Sequence, residues 1–587
     1  MEQDSLPFTS GGVFSVTREL KKLLRADRIS HLRSIDLDTH FVLSVHRARL
    51  SPPLFANLRC GVWYVPPALS AGGCYFKSTD GHDGSWSFSI TRINLQVALA
   101  AASHGSVMIV DSTRTGKRFP DALAKTVPIW CCVINRALAL RTDAPPPTGG
   151  GASGWDERLW LPAWITAAEA SHIEKRMNEW VAALHRPALA PVLQRLRQCL
   201  LKPLRPVWCC PHRDAPGGEP QWEAGRAVDR IHSTAHGNRA DGRHGNGGCV
   251  PHDAPDPSPG YYAVLCVCAS AVCSSEASRE HRSWTYVQGA GDDEENWARG
   301  LRPEQWWRWR AHLLERSALS GSEAELELEH LQADDAHASL QPGQSFAVES
   351  CDDTRTLPAS VSASASPPRL PTALWDSGVC VGSAACIGLG SLWEHVDAIL
   401  HVGSASSFST VSASLGLRED HQSETNTSSA SDGGEADCDT CPSSYHGELV
   451  LASGRVLRCC HVPIEEGKRA QPSKDWWQRV VLPTCLVFAR KELVETRSIF
   501  VCCDRGEDRA PAVALAVLLA FFNSDAVTRQ LDGPCRALTK EEVRGRMALL
   551  QSVHADARVP RLFHKELNAF FVAPAGGWTG LRRPQAG

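Results

Sequence analysis

Apolar residues along the chain fall into short continuous runs and into helical stripes, and the boundaries between them mark out the elements. Val107-Met-Ile-Val110 is a run of strand type that turns polar at once at Asp111. Arg92 to Ala102 predicts a helix feeding that strand. Pro120 stands where a first helical position is expected. Pro128 to Ile134 predicts a second apolar strand. Strand, loop, helix and strand within about 30 residues is the order of a parallel α/β unit. Upstream, Phe14 to Ile35 reads as an amphipathic helix with Val16, Leu20, Leu23 and Leu24 on one face. Downstream, helices are expected from Trp164 to about Leu184 and from Arg302 to Leu319. A short strand is expected at Ala398 to Val402, and an Ala/Leu/Val helix ending at Phe522.

Three stretches lose this patterning. Residues 214–259 turn to Gly, His, Asp and Arg, residues 333–371 to Ser, Ala and Pro, and residues 404–446 to Ser, Asp, Glu and Thr. The expected organisation is an N-terminal domain over 1–332 with a disordered insert at 214–259, and a linker over 333–371. A second domain follows over 372–587, with a disordered insert at 404–446. Both domains are expected to be α/β.

Composition narrows the class. The chain has 587 residues, enough for several domains, and a net charge of −4, so any nucleic-acid site must be a local patch. The apolar stretches Tyr261 to Cys273 and Ala512 to Phe522 fall short of the roughly 18 residues that span a bilayer. The 22 cysteines show no disulfide-type spacing. The Cys and His residues in and beside 214–259 match no standard zinc pattern. A soluble, cytoplasmic protein with reduced thiols is expected, with no membrane and no stable protein partner.

Candidate chemistry gathers in a few stretches. After the 107–110 strand come Asp111, Ser112, Thr113, Arg114, Thr115, Gly116, Lys117 and Arg118. A carboxylate, hydroxyls, a glycine and bases ahead of a helix suit an anionic ligand, because backbone N–H groups and the helix terminus face phosphate. A basic surface turn is the competing reading. Lys77, Asp80 and His82 lie within six residues, a cation, an acid and an imidazole close enough for a reaction-site loop. Asp292 and Asp293 follow two glycines and are candidate Mg²⁺ ligands. Arg18, Lys21, Lys22 and Arg25 recur at helical spacing, and Arg59 lies near Trp63 and Tyr64; these are candidate RNA contacts. Cys503, Gly506 and Arg509 satisfy C-x-x-G-x-x-R between a strand and a helix, the phosphate cradle of cysteine phosphatases. Ala510 replaces the usual Ser or Thr after the arginine, which argues for a binding loop over a working phosphatase.

Four stretches carry a resemblance beyond spacing. They are Ala56 to Tyr64 (ANLRCGVWY), Cys74 to His82 (CYFKSTDGH), Val110 to Trp130 (VDSTRTGKRFPDALAKTVPIW) and Tyr286 to Glu295 (YVQGAGDDEE). Together they resemble the initiator tRNA phosphoribosyltransferase family, the tRNA adenosine-64 2′-O-ribosylphosphate transferases. The resemblance implies transfer of a 5-phosphoribosyl group from phosphoribosyl pyrophosphate to a ribose 2′-hydroxyl of initiator methionine tRNA. It also implies Mg²⁺ and a C-terminal domain shaped like a dual-specificity phosphatase, whose loop keeps Cys503, Gly506 and Asp508. Under it, Asp111 meets ribose hydroxyls or metal, and Ser112 to Lys117 with Arg118 hold phosphate. Lys77 neutralises pyrophosphate, Asp80 or His82 takes the hydroxyl proton, and the 503–509 loop binds a phosphate. Two other classes remain open: a phosphatase using Cys503 and Arg509, and a non-catalytic tRNA-binding protein.

Overall fold

In the computed structural model the described residues are 11–79, 84–114, 116–140, 155–228, 260–274, 280–281, 284–315, 321–340, 371–388, 395–414, 445–450, 455–464, 476–495, 497–531 and 537–572. They form two units. The first holds most of residues 1–366 and the second most of 367–587.

The first unit is built on a six-stranded sheet. Its elements, in chain order, are helix α1 (Gly11–Ala48), β1 (Leu54–Asn57), β2 (Ser70–Cys74), α2 (Leu95–His104) and β3 (Ser106–Asp111). Then come α3 (Val127–Ala139), β4 (Leu204–Pro211), β5 (Pro220–Glu223), β6 (Tyr262–Cys268), α4 (Pro303–Glu315) and α5 (Gly321–Leu340). The sheet order is β2-β1-β3-β6-β4-β5, parallel throughout except for the edge strand β5. Met108, Val110, Leu265 and Val267 point to one face and pack with Ile29, Leu32, Phe41 and Val45 of α1. Alternation puts Val107 and Ile109 on the opposite face, where α3 lies and the Trp208 indole donates to the Leu123 carbonyl at 2.9 Å. Covered on both faces, β3 and β6 need apolar residues at every position, which is why they read as continuous runs. The chain leaves β1 for β2 on one side and returns to β3 on the other. The C-terminal ends of β1 and β3 therefore flank a point where strand order reverses, the usual place for a ligand crevice in such sheets.

Several expectations change here. Pro128 to Ile134 is not a strand but the middle of α3, which opens with a wide turn at Ala122–Thr126 and is buried along nearly its whole length. A helix buried all round shows no stripe, so its apolar run imitates a strand. Residues 122–139 are long and apolar enough to cross a membrane by composition, but 83% of that stretch is buried inside the unit, as a core helix would be. The expected insert at 214–259 is ordered in its first part: β5 pairs with β4, and Gly225–Val228 pairs with Leu159–Pro162. Residues 229–259 lie outside the described residues.

The second unit contains β7 (Thr372–Ala373), β8 (Val379–Ser383), β9 (Ala398–Gly403), α6 (Ala405–Ser414), β10 (Tyr445–Val450), β11 (Val456–Pro463) and α7 (Leu482–Val494). It continues with β12 (Ile499–Cys503), α8 (Arg509–Phe521), α9 (Lys540–Val553) and α10 (Arg561–Phe571). Its sheet runs β7-β8-β12-β9-β11-β10, with four parallel central strands and an antiparallel strand at each edge. Helix α6 thus occupies the start of the expected insert at 404–446. Helix α8 is buried on nearly every residue. No disulfide joins any of the described cysteines.

Gly61 shows how tightly the reversal point is packed. A Cβ there would lie 2.2 Å from the Val110 carbonyl oxygen, a backbone atom of the central strand that has little freedom to move. Gly61→Ala is expected to destabilise the N-terminal unit by about 1–3 kcal/mol, read as a lowered denaturation midpoint; an unchanged midpoint would show that this strand end yields.

Candidate active site

Asp111, the last residue of β3, is fully buried at the reversal point. Its carboxylate is enclosed by donors. The Asn57 amide, from the end of β1, donates to Oδ2 at 2.8 Å. The Arg59 Nε donates to Oδ2 and Nη2 to Oδ1, both at 3.2 Å. The Cys60 thiol donates to Oδ1 at 2.9 Å and the Ser112 amide at 2.9 Å. Burial, reinforced by the Asp111 charge, pushes the Cys60 thiol well above its ordinary pKa, so it keeps the proton it donates. Charge-assisted bonds of this kind are the strong ones.

Arg59 also reaches Asp292, with Nη1 at 2.7 Å from Oδ1, and donates to the Ser112 carbonyl. One guanidinium therefore ties the end of β3 to the acidic stretch near 292. Arg59, a candidate tRNA contact, is partly exposed, and two carboxylates compensate its charge inside the unit. Arg114 pairs with Asp293 at 3.2 Å, both side chains exposed.

The loop after Asp111 is held by the 286–291 stretch. The Gln288 amide donates to the Lys117 carbonyl at 2.7 Å and to the Arg114 carbonyl at 3.2 Å. Gly289 has φ +71°, and a Cβ there would lie 2.5 Å from the Thr113 carbonyl oxygen, so the two loops meet backbone to backbone. Behind them runs a buried chain: Ser112 Oγ and Ser270 Oγ are 2.6 Å apart, Ser270 donates to Asp38 at 2.6 Å, and Tyr286 donates to Asp38 at 2.8 Å. Burial pushes the Asp38 carboxyl well above the usual carboxylate range, against the pull of those two hydrogen bonds. Asp38 and Ser270 were not found from sequence, since neither lies in a motif and only the fold brings them behind Ser112.

Two buried polar atoms on these loops, Thr113 Oγ1 and Gln288 Oε1, have no hydrogen-bond partner among the described residues. Unpaired buried polar atoms are costly, and two of them on facing loops suit a polar ligand. Gly116, with φ +94°, and Lys117 are exposed on the same loop. Arg118 turns to Glu223 and Cys210 instead. Lys77 is exposed beyond β2, with no partner for its ammonium among the described residues. Asp80, His82 and Thr115 lie outside the described residues, as do the side chains of Arg18, Lys21, Lys22 and Arg25 on α1.

In the second unit Cys503 ends β12 and its loop leads into α8. The thiol accepts from the Gly506 amide at 3.2 Å and donates to Asp508 at 3.6 Å. Burial, with the Asp508 charge added, pushes the Cys503 pKa up to about 11, the wrong direction for a thiolate nucleophile. Asp508 caps α8 by accepting from the Arg509 amide at 2.7 Å. The Arg509 guanidinium is held by Asp504 at 2.7 Å and the Ile464 carbonyl at 3.1 Å. With both groups held by acids, the geometry does not present the armed cysteine and free arginine that a phosphatase requires.

Beside this loop His401 and His461 meet Nδ1 to Nδ1 at 2.9 Å, and His461 stacks on Phe408 with centroids 4.2 Å apart. Burial lowers their pKa values, helped at His401 by the second imidazole, to about 3 for His401 and about 4 for His461.

The family model described as the Rit1 N-terminal domain matches residues 23–328, and that of the Rit1 DUSP-like domain matches residues 458–571. An uncharacterized protein of Schizosaccharomyces pombe is 35% identical over 282 residues, 48% of this chain and 51% of that protein. The tRNA A64-2′-O-ribosylphosphate transferase of Saccharomyces cerevisiae is 30% identical over 299 residues, 50% of this chain and 52% of that protein. The chain thus spans about half the length of the curated relatives it matches. Among solved structures, human DUSP28 aligns with 34% of this chain and 92% of its own at 12% identity and a TM-score of 0.20. A mouse putative dual specificity phosphatase aligns with 36% and 91% at 14% identity and a TM-score of 0.20.

The histidine pair sets a pH expectation. Both rings are kept neutral in the fold, while an unfolded histidine binds a proton below about pH 6.5. The stability they contribute is present above that pH and is lost as pH falls toward their folded values. Between pH 7 and pH 5 the second unit should lose about 2 kcal/mol per histidine, read by denaturant midpoints. A flat profile would show that the pair takes up protons without strain.

Proposed function

The chain belongs to the Rit1 family, and on that premise we propose that it transfers a 5-phosphoribosyl group from phosphoribosyl pyrophosphate to the 2′-hydroxyl of adenosine 64 of initiator methionine tRNA, which withholds that tRNA from elongation. The observation that carries the proposal on this chain is the Asp111 site. A buried carboxylate at the reversal point of a parallel sheet is followed directly by a loop with an unpartnered buried hydroxyl and an exposed glycine and lysine.

Breaking the bond from C1 to pyrophosphate leaves positive charge on the sugar and negative charge on the leaving group, so the site must answer both. Asp111, its oxygens already taken by Arg59, Asn57, Cys60 and the Ser112 amide, fixes the strand end and the loop that meet the sugar. The backbone and hydroxyls of Ser112 to Lys117 take the phosphate, and Lys77 neutralises pyrophosphate. Asp80 or His82 takes the proton of the attacking 2′-hydroxyl.

Among the described residues no cluster of three His, Cys, Asp or Glu side chains forms a ready metal cage. Mg²⁺ that arrives on a pyrophosphate needs only one or two carboxylates from the protein, and Asp292 and Asp293 fit that smaller demand. When bound, Mg²⁺ would screen the charge of the departing pyrophosphate. The Cys503 loop is assigned a binding or structural role, in keeping with its protonated thiol.

The test is label transfer from phosphoribosyl pyrophosphate to initiator tRNA, with elongator methionine tRNA as control. Label should appear on the initiator alone and disappear when Mg²⁺ is chelated. Asp111→Asn should lower transfer about 100-fold or more with the fold intact by circular dichroism, whereas Cys503→Ser should leave it largely intact. Full activity in Asp111→Asn would overturn the assignment. Phosphatase turnover lost in Cys503→Ser, with no transfer, would move the activity to the second unit.

A further inference from the structure

Beyond β2 the first unit contains a cavity of about 220 Å³ that shares only Lys77 with the residues of the transfer chemistry above. Tyr75, Phe76, Phe88 and Trp130 line it, with Lys77 and Arg92 among its walls. Phe76 meets Trp130 edge to face, with centroids 5.4 Å apart, and the Arg92 guanidinium lies 3.7 Å over the Tyr75 ring. The floor is rigid, for Phe76 and Trp130 are buried, and Thr126 donates to the Lys77 carbonyl at 2.8 Å. Tyr75 and Phe88 are only partly buried, so rings also form the accessible part of the wall.

The cavity adjoins the Asp111 site through one side chain. The Asn57 amide nitrogen donates both to Asp111 and, at 3.0 Å, to the Phe76 carbonyl, while its oxygen accepts from the Phe76 amide at 2.9 Å. A group seated against Phe76 is therefore held in fixed relation to the Asp111 carboxylate. Pockets for drug-sized ligands run to roughly 300–1,000 Å³; this one is smaller and suits a single flat ring system.

We propose that this cavity binds the adenine base of the acceptor nucleotide, turned out of the RNA stem. The inference rests on the proposed function. The donor, a phosphorylated sugar, carries no aromatic base to stack on these rings, whereas the acceptor adenosine does. Stacking on aromatic side chains is how proteins hold unpaired bases, and a base turned out of a stem is held in a pocket of this kind by enzymes that act on bases. Arg92 supplies positive charge for a phosphate beside that nucleotide. Seating the base here sets the attached ribose beside Asp111 and distinguishes an adenosine from other positions of equal backbone shape.

Ligand-observed NMR on the full-length protein tests this without turnover, with adenosine and ribose 5-phosphate as probes. Saturation should reach the adenosine base protons in the wild type and be lost in Phe88→Ala, while any ribose 5-phosphate signal stays unchanged. Phe88 is only partly buried, so the truncation leaves the buried Phe76–Trp130 floor in place; Tyr75→Leu is the second variant. Base protons that stay dark in the wild type, or saturate equally in both variants, would overturn the proposal. In the RNA, an abasic ribose at the acceptor position should weaken wild-type binding about tenfold and weaken Phe88→Ala binding no further. Equal weakening of both proteins would also overturn it. Normal adenosine binding with no phosphoribosyl transfer would refute the proposed function and leave the base pocket standing.

Discussion

A fully buried carboxylate has to be answered by donors, and much of the first unit can be read as the answer to Asp111. Its partners come from β1 (Asn57), from the turn after it (Arg59, Cys60) and from its own following residue. None would suffice alone, because an ionised group without water needs both its lone pairs and its charge satisfied. Arg59 carries the charge onward to Asp292, so the acidic stretch near 292 is anchored by the same requirement. Gly61 and Gly289 allow the backbones to approach closely enough for these bonds to form.

The same arrangement separates the rigid from the unsatisfied parts of the site. Asp111, Asn57 and Arg59 are fully engaged, and Ser112 is tied through Ser270 to a buried Asp38. Thr113 and Gln288 carry polar atoms without partners among the described residues. A preorganised acid beside unmet polar groups is what a site looks like when its framework is complete and its ligand supplies the rest.

The second unit keeps the strand-loop-helix geometry of a phosphate cradle but inverts its electrostatics. Asp504, Glu507 and Asp508 stand within the loop. Two of these acids take up the thiol and the guanidinium that a phosphatase would keep free. Within the C-x-x-G-x-x-R stretch, Gly506, at φ +76° and against the Gly382 backbone, and the cap of α8 are what the turn itself needs. Spacing preserved by packing is thus a poor guide to chemistry, and the buried His401–His461 pair beside the loop is held neutral by the same low-polarity surroundings.

Local rules in the chain already determined much of this. The central strand at 107–110, its abrupt polar end, the helix start at Pro120 and the loop glycines follow from periodicity and backbone sterics, and the four motifs pointed to a family. Tertiary structure decided the rest. It turned the apolar run at 128–134 into a buried helix, since burial on all sides erases the stripe that marks helices. It ordered residues 220–228 as strands, because edge pairing needs a neighbour that lies elsewhere in the chain. It tied Arg59 to two carboxylates, brought Asn57 to Asp111, and brought Ser270 and Asp38 behind Ser112, all across long separations. Pairing of that kind is set by which strand ends meet at the reversal of the sheet, and no local window of sequence contains that information.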